Sequence, residues 1–386
     1  MGKKLNIKNI FQRFKGLFSI GIADILGGGI SSLFWLYLAT LLSVEDYGNI
    51  FYFIAIGNIA ITISLIGSKT TLMVYVPKNI KLESALFLLS IILASISSLI
   101  VFFFYSNSIL GFYIFGGVIF SLGASEILAK KLYSNNFVFL IIQKLTMIGL
   151  SIGLYYLIGI NGIILGIGLS FFSYLPIVIK EFKTTKIDFS LLKPRLGFMF
   201  NSYANNLLVT FFSQIDKLII TSLFGFTLLG NYQLGIQFIA VFQLLPLTVV
   251  KFTLPHDANG NPNRNLKIVM FLISICFTVL ILFLAPVVIP VFFDKYLYVV
   301  ELIQILSISL IPASINTIFT SKLLGAEKSK LILISHLLQL STYVSGVIIL
   351  GSIFGIIGMA ISYVLAITVQ SIFYLIIALK ETFYKS

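Results

Sequence analysis

The sequence predicts an all-α membrane protein. About twelve transmembrane helices are expected in two six-helix bundles, related by a pseudo-two-fold axis along the membrane normal around a central cavity. Three observations carry this. Of 386 residues, 59% are hydrophobic and 10% charged, against about 25% charged in a soluble domain, and the mean hydropathy is +1.07. The apolar residues gather in runs of about 20, the length that crosses a bilayer. The basic residues recur in alternate loops, as cytoplasmic loops do.

The runs fall at about 17–41, 50–68, 84–105, 109–129, 137–158, 161–180, 196–225, 231–250, 267–291, 300–320, 331–350 and 355–379. The N-terminus is basic and then apolar, like a signal peptide. Its apolar run continues without a small-residue cleavage site, so it reads as a retained first helix. With the N-terminus inside, 23 of the 26 basic residues fall in cytoplasmic segments. Lys144 and Lys217 lie within spans, and Lys295 is in an outer loop. One missed helix would invert every later loop, so the alternation supports twelve spans with both termini cytoplasmic, in the inner (cytoplasmic) membrane of the cell. The net charge of +13 would suggest nucleic acid in a soluble protein. Here it reads as a topology signal and an attraction to anionic headgroups, and no nucleic-acid partner is expected.

The outer connections are short, among them Leu42–Asn49, Gly225–Gly230 and Gly351–Phe354. The expected domains are an N-terminal bundle over 1–180, a cytoplasmic linker over 181–195 and a C-terminal bundle over 196–386. Weak repeats relate the halves. Gly48 and Gly230, each just past an apolar helix, are 182 apart, and Gly159-Ile-Asn-Gly and Gly355-Ile-Ile-Gly are 196 apart. Six spans per half insert both repeats in the same orientation.

The seventh run is the least lipid-like. On a helical wheel Ser202, Asn205, Asn206, Thr210, Ser213, Gln214, Asp216, Lys217 and Thr221 share one arc of about 180°, opposite Leu207, Leu208, Phe211, Ile215 and Leu218. A charge near the bilayer centre costs roughly 2.5–3.5 kcal/mol, so such groups face a cavity or a partner. The structural alternative is that Asp216 and Lys217 each pair with a neighbouring helix and hold the bundle. As sequence neighbours they project about 100° apart and are not expected to form a helix-face pair.

Other ionisable groups are few. Asp24 shares a face with Gly28, Ser31 and Trp35, which fits either a cavity role or local packing. Glu126 and Lys144 are close enough in depth to pair across a hairpin; the alternative is that Lys144 snorkels to the surface. His336 fits a proton relay or a hydrogen-bonded interfacial histidine.

Enzyme constellations are absent from the sequence. The single Cys276 excludes an intrachain disulfide and a cysteine metal cluster. There is no glycine-rich phosphate loop and no aspartate-rich loop suited to a metal and a sugar nucleotide. No outer loop is large enough for a polymerase or ligase site. No metal or organic cofactor is expected.

The layout resembles the polysaccharide (O-antigen type) flippases of the multidrug/oligosaccharidyl-lipid/polysaccharide (MOP) exporter superfamily. The matching pieces are Leu41-Leu-Ser-Val-Glu-Asp-Tyr-Gly48, Ile215-Asp-Lys-Leu-Ile219 with Leu229-Gly-Asn-Tyr232, Leu324-Gly-Ala-Glu-Lys-Ser-Lys330, and Gly355-Ile-Ile-Gly-Met-Ala360. Their order covers nearly the whole chain. The resemblance implies transfer of a polyprenyl-diphosphate-linked oligosaccharide from the inner to the outer leaflet by alternating access. Its partners would be that lipid, membrane lipids, and a polysaccharide polymerase and glycosyltransferases. It implies Lys217 as the diphosphate ligand, with Lys144 as a second cation. Asn205, Asn206, Ser213 and Gln214 would meet sugar. Asp24, Asp216 and Glu126 would meet a coupling ion, H+ or Na+, or restrain the cations. The alternatives are a cation-coupled drug or small-molecule exporter of the same superfamily, and a membrane-embedded glycosyl or acyl transferase.

Overall fold

The computed structural model describes residues 25–258, 264–296, 298–325 and 328–383. Among these residues the structure is helical, with no strand. In chain order the helices are α1 (Ile25–Leu41), α2 (Val44–Leu65), α3 (Ser68–Tyr75), α4 (Glu83–Tyr105), α5 (Ser108–Ala129), α6 (Tyr133–Ile158), α7 (Ile160–Phe171), α8 (Leu175–Thr184), α9 (Leu196–Ala258), α10 (Arg264–Phe292), α11 (Val299–Ile308), α12 (Leu310–Gly325) and α13 (Ser329–Phe383). Among the described residues nine segments are long and apolar enough to cross a membrane. Two of these are double, because α9 breaks at Gly225 and α13 at Gly355. Splitting them gives eleven, and α1 makes twelve.

Those breaks correct the expected outer loops. Residues 225–230 and 351–354 are not loops: each turn is made by one glycine. Gly355 sits at φ 60°, ψ −136° and Gly225 at φ 84°, ψ 173°, backbone angles that almost only glycine adopts and that cost another residue on the order of 1–3 kcal/mol. Neither has a neighbouring atom where a Cβ would stand, so the backbone angle, not space, asks for glycine there. The expected loop Leu42–Asn49 is mostly the start of α2. Ser43 Oγ accepts from the Asp46 N–H at 3.1 Å and donates to Asp46 Oδ2 at 2.7 Å, which caps the helix.

The chain forms two compact units that interleave in sequence. Unit 1 holds residues 1–27 and 52–214; unit 2 holds 28–51 and 215–386. The divisions therefore fall inside α1, α2 and α9.

In unit 1, α5 is the central helix. Leu110, Ile114, Val118 and Leu122 are fully buried, and α3, α4, α7 and α8 pack around it. Lipid is as apolar as leucine, so close packing of small residues drives such association. α5 supplies Gly116, Gly117 and Gly123. α6 packs on α7 and turns Leu145, Tyr156 and Leu157 outward, as a lipid-facing helix does.

In unit 2, the start of α2 crosses α9 where the repeat predicts equivalence. A Cβ on Gly48 would lie 2.0 Å from the Phe226 carbonyl oxygen, and one on Gly230 would lie 1.9 Å from that of Val44. Val44 and Phe226 are 182 apart, as are Gly48 and Gly230, so the contact is reciprocal. Beside it Tyr47, Tyr232 and Tyr296 are fully buried.

Candidate functional site

The polar face of α9 lies in both units, and each part is built differently. In unit 1, Asn206 Nδ2 donates to Thr70 Oγ1 at 3.3 Å, and the Thr210 and Thr62 hydroxyls are 3.0 Å apart. Ser213 Oγ donates to the Thr210 carbonyl, and Gln214 Nε2 to Ser213 Oγ at 3.1 Å. Asn206, Thr210, Ser213 and Gln214 line a cavity of about 290 Å³ with Asn58, Thr62 and Lys69. Asn205 is exposed and outside that lining. Among the described residues no carboxylate lines the cavity, and the one cation there is the exposed Lys69.

Sequence reasoning missed Lys69, counting it only as a loop charge. The signal was present: Asn58 and Thr62 are four residues apart on one face of α2, and Lys69 follows at the start of α3.

Unit 2 contains the charged pair. Lys217 Nζ lies 2.9 Å from Asp216 Oδ1, and the residues are 9% and 7% exposed. The expectation that these neighbours do not pair is therefore corrected. The 100° rule concerns where Cβ atoms point. A buried lysine with four rotatable bonds curls to the nearest carboxylate, because an unpaired buried charge is costly. Asp216 lies close enough to Tyr232, Tyr343 and Tyr363 for its charge to act on them, and the Tyr232 and Tyr343 hydroxyls are 2.6 Å apart. The unit also has a cavity of about 310 Å³ whose lining includes Gln243, Asn316, Thr320, His336, Tyr363 and Gln370. His336 thus belongs to an amide- and hydroxyl-bearing wall.

Glu126 is 1% exposed, and its partner is not Lys144. Glu126 Oε1 pairs with Lys130, one turn on, at 2.7 Å, and Lys130 also reaches Glu181 Oε1 at 2.7 Å. Burial pulls the Lys130 ammonium down, but its hydrogen bonds to the two carboxylates outweigh that and hold its pKa above the ordinary lysine value. Lys144 is half-buried on α6, lines neither cavity described above, and has no ion pair among the described residues. Asp24 lies outside the described residues.

No known protein family matches the sequence, and no curated protein does. Solved structures do. A lipid II flippase MurJ in an inward closed conformation has a TM-score of 0.77 at 16% identity, over 95% of this chain and 87% of that one. An inward-facing multidrug resistance MATE family transporter of the MOP superfamily scores 0.68 at 15% identity, over 94% and 95%. A MOP superfamily transporter from Pyrococcus furiosus with a binding pocket of reverse polarity scores 0.65 at 15% identity, over 96% of each chain. All three are transporters, not enzymes. At such identity the likeness speaks for the fold, and the chain has the fold of the MOP-superfamily transporters.

Proposed function

We propose that this chain flips a polyprenyl-diphosphate-linked oligosaccharide from the inner to the outer leaflet by alternating access, for cell-surface polysaccharide synthesis. The observation that carries the reading is the unit 1 cavity, lined by Asn58, Thr62, Asn206, Thr210, Ser213 and Gln214, with Lys69 as its one charge among the described residues. Amides and hydroxyls answer sugar hydroxyls, and an ammonium on a flexible stem answers a diphosphate. Lys69 is the first diphosphate contact in this reading. Lys217 is the second, and engages once it leaves Asp216, which restrains it. Coupling to H+ or Na+ passes through Asp216. The termini face the cytoplasm, and a polysaccharide polymerase and glycosyltransferases act on the same lipid before and after the flip.

One observation favours the drug-exporter reading: among the described residues the unit 2 cavity is lined by amides, hydroxyls, apolar groups and His336, with no lysine or arginine, which leaves no fixed cation there to answer a diphosphate.

Flipping in liposomes tests both. Purified protein is reconstituted with a fluorescent lipid-diphosphate-oligosaccharide, and an impermeant quencher reports the outer leaflet, with and without an ion gradient. Lys69→Gln is expected to slow flipping at least tenfold. The Asp216→Asn/Lys217→Gln double variant, which removes the pair without stranding a charge, is expected to weaken gradient dependence. If the wild type moves none of several such lipids but exports a soluble organic cation, the drug-exporter reading takes its place.

A further inference from the structure

Three carboxylates that no sequence motif links meet in unit 1. Glu83 opens α4, Glu126 lies in the last turn of α5, and Glu181 lies in α8. They are 5%, 1% and 3% exposed, and one oxygen from each lies within 4.8 Å of the others. Lys130 pairs with two of them, Glu126 and Glu181. A second observation concerns the oxygens that Lys130 does not reach. Glu83 Oε2 and Glu126 Oε2 are shielded from solvent and accept no hydrogen bond among the described residues. Buried carboxylate oxygens need a donor or a cation.

The charge balance says which. With all three carboxylates ionised, the one ammonium leaves two negative charges, and one divalent cation brings the sum to zero. Lys81 and Lys131 line the adjoining cavity of about 530 Å³, but both are exposed, and water screens their charge. Oxygens around a Ca2+ ion sit at roughly 2.3–2.6 Å, so two on opposite sides are about 4.8 Å apart. The three glutamates are therefore already within reach of one such ion. The donor set is all oxygen, which suits a hard cation and not a soft one.

We propose that Glu83, Glu126 and Glu181 bind one hard divalent cation of the Ca2+ or Mn2+ type, with Lys130 completing the charge balance, and that the ion ties α4, α5 and α8 together. The proposal does not rest on the flippase reading, and its test measures no transport.

The test titrates Mn2+ into the purified full-length protein in detergent, reading free Mn2+ by electron paramagnetic resonance, with Ca2+ as competitor. One Mn2+ per chain is expected, displaced by Ca2+. Glu83→Gln is expected to weaken binding at least tenfold. Lys130→Gln is expected to tighten it severalfold, because a competing ammonium is gone. Stoichiometric binding by the wild type separates a cation site from a purely structural ion-pair cluster, which takes up no metal ion while its lysine is in place. Circular dichroism and elution volume check that each variant is folded, and Glu181→Gln serves in place of Glu83→Gln if that variant is not. No Mn2+ site in the wild type up to millimolar concentration, binding unchanged in the glutamate variant, or binding lost in folded Lys130→Gln would each overturn the proposal.

Discussion

Two buried charge clusters among the described residues solve one problem in opposite ways. In unit 2, Asp216 and Lys217 are neighbours in sequence, one to one in charge, and 2.9 Å apart. In unit 1, Glu83, Glu126 and Glu181 come from three helices and share a single lysine. The first sets one carboxylate against one ammonium. The second sets three carboxylates against one ammonium. The difference teaches that burial alone does not say how a charge is held: the ratio of signs does.

The comparison breaks most readily in unit 2. Lys217→Met strands the Asp216 carboxylate, and removing one partner of a buried pair costs about 3–5 kcal/mol. The unfolding midpoint of the purified protein should fall accordingly. The double variant Asp216→Asn/Lys217→Met removes both charges and should recover at least about 2 kcal/mol of that, since a buried pair is often replaceable by neutral groups. If the double variant is as unstable as the single, the pair is not self-contained and the contrast with unit 1 fails.

What could be read ahead of the structure follows from where the physics is local. The spans were legible because hydropathy over about 20 residues decides membrane crossing. The turn at Gly355 was legible as a repeat glycine but not as a one-residue turn, since only the φ of 60° reveals why no loop is needed. The crossing at Gly48 and Gly230 was legible as an equivalence and not as a contact. Among site residues, the polar face of α9 was visible as a stripe, but its division between two units was not. The Glu126–Lys130 spacing is a plain one-turn pair that attention to hairpin depth passed over in favour of Lys144. Glu181 and Glu83 could not be joined to it by spacing, because α4, α5 and α8 meet only through tertiary packing.

The next variant sharpens the contrast from the unit 1 side. Lys130→Met removes the one cation from three carboxylates. The expected cost is about 1–3 kcal/mol, less than for Lys217, because the Lys130 side chain is 35% exposed and water answers part of the lost charge. Added Ca2+ should restore most of the unfolding midpoint in this variant and leave Lys217→Met unmoved. Equal rescue of both, or of neither, would erase the distinction between a self-neutral pair and a cluster that takes up a cation.

The smallest expected effect is the most discriminating. Glu83→Gln and Asp216→Asn are the same chemical change, a carboxylate to its amide, at residues 5% and 7% exposed. Asp216→Asn leaves the Lys217 ammonium buried without its counter-charge, which is the costly outcome. Glu83 has no ion pair to lose among the described residues, and one less negative charge relieves repulsion from Glu126 and Glu181. With divalent ions chelated, Glu83→Gln should therefore stay within about 0.5 kcal/mol of the wild type, or gain slightly. With Ca2+ present, the wild type should pull ahead of it, because only the wild type keeps the third carboxylate and the stabilisation that a bound ligand confers by mass action. A gap between the two that is large without Ca2+ and unchanged by it would mean that Glu83 is held by packing, and that sign ratio does not govern the unit 1 cluster.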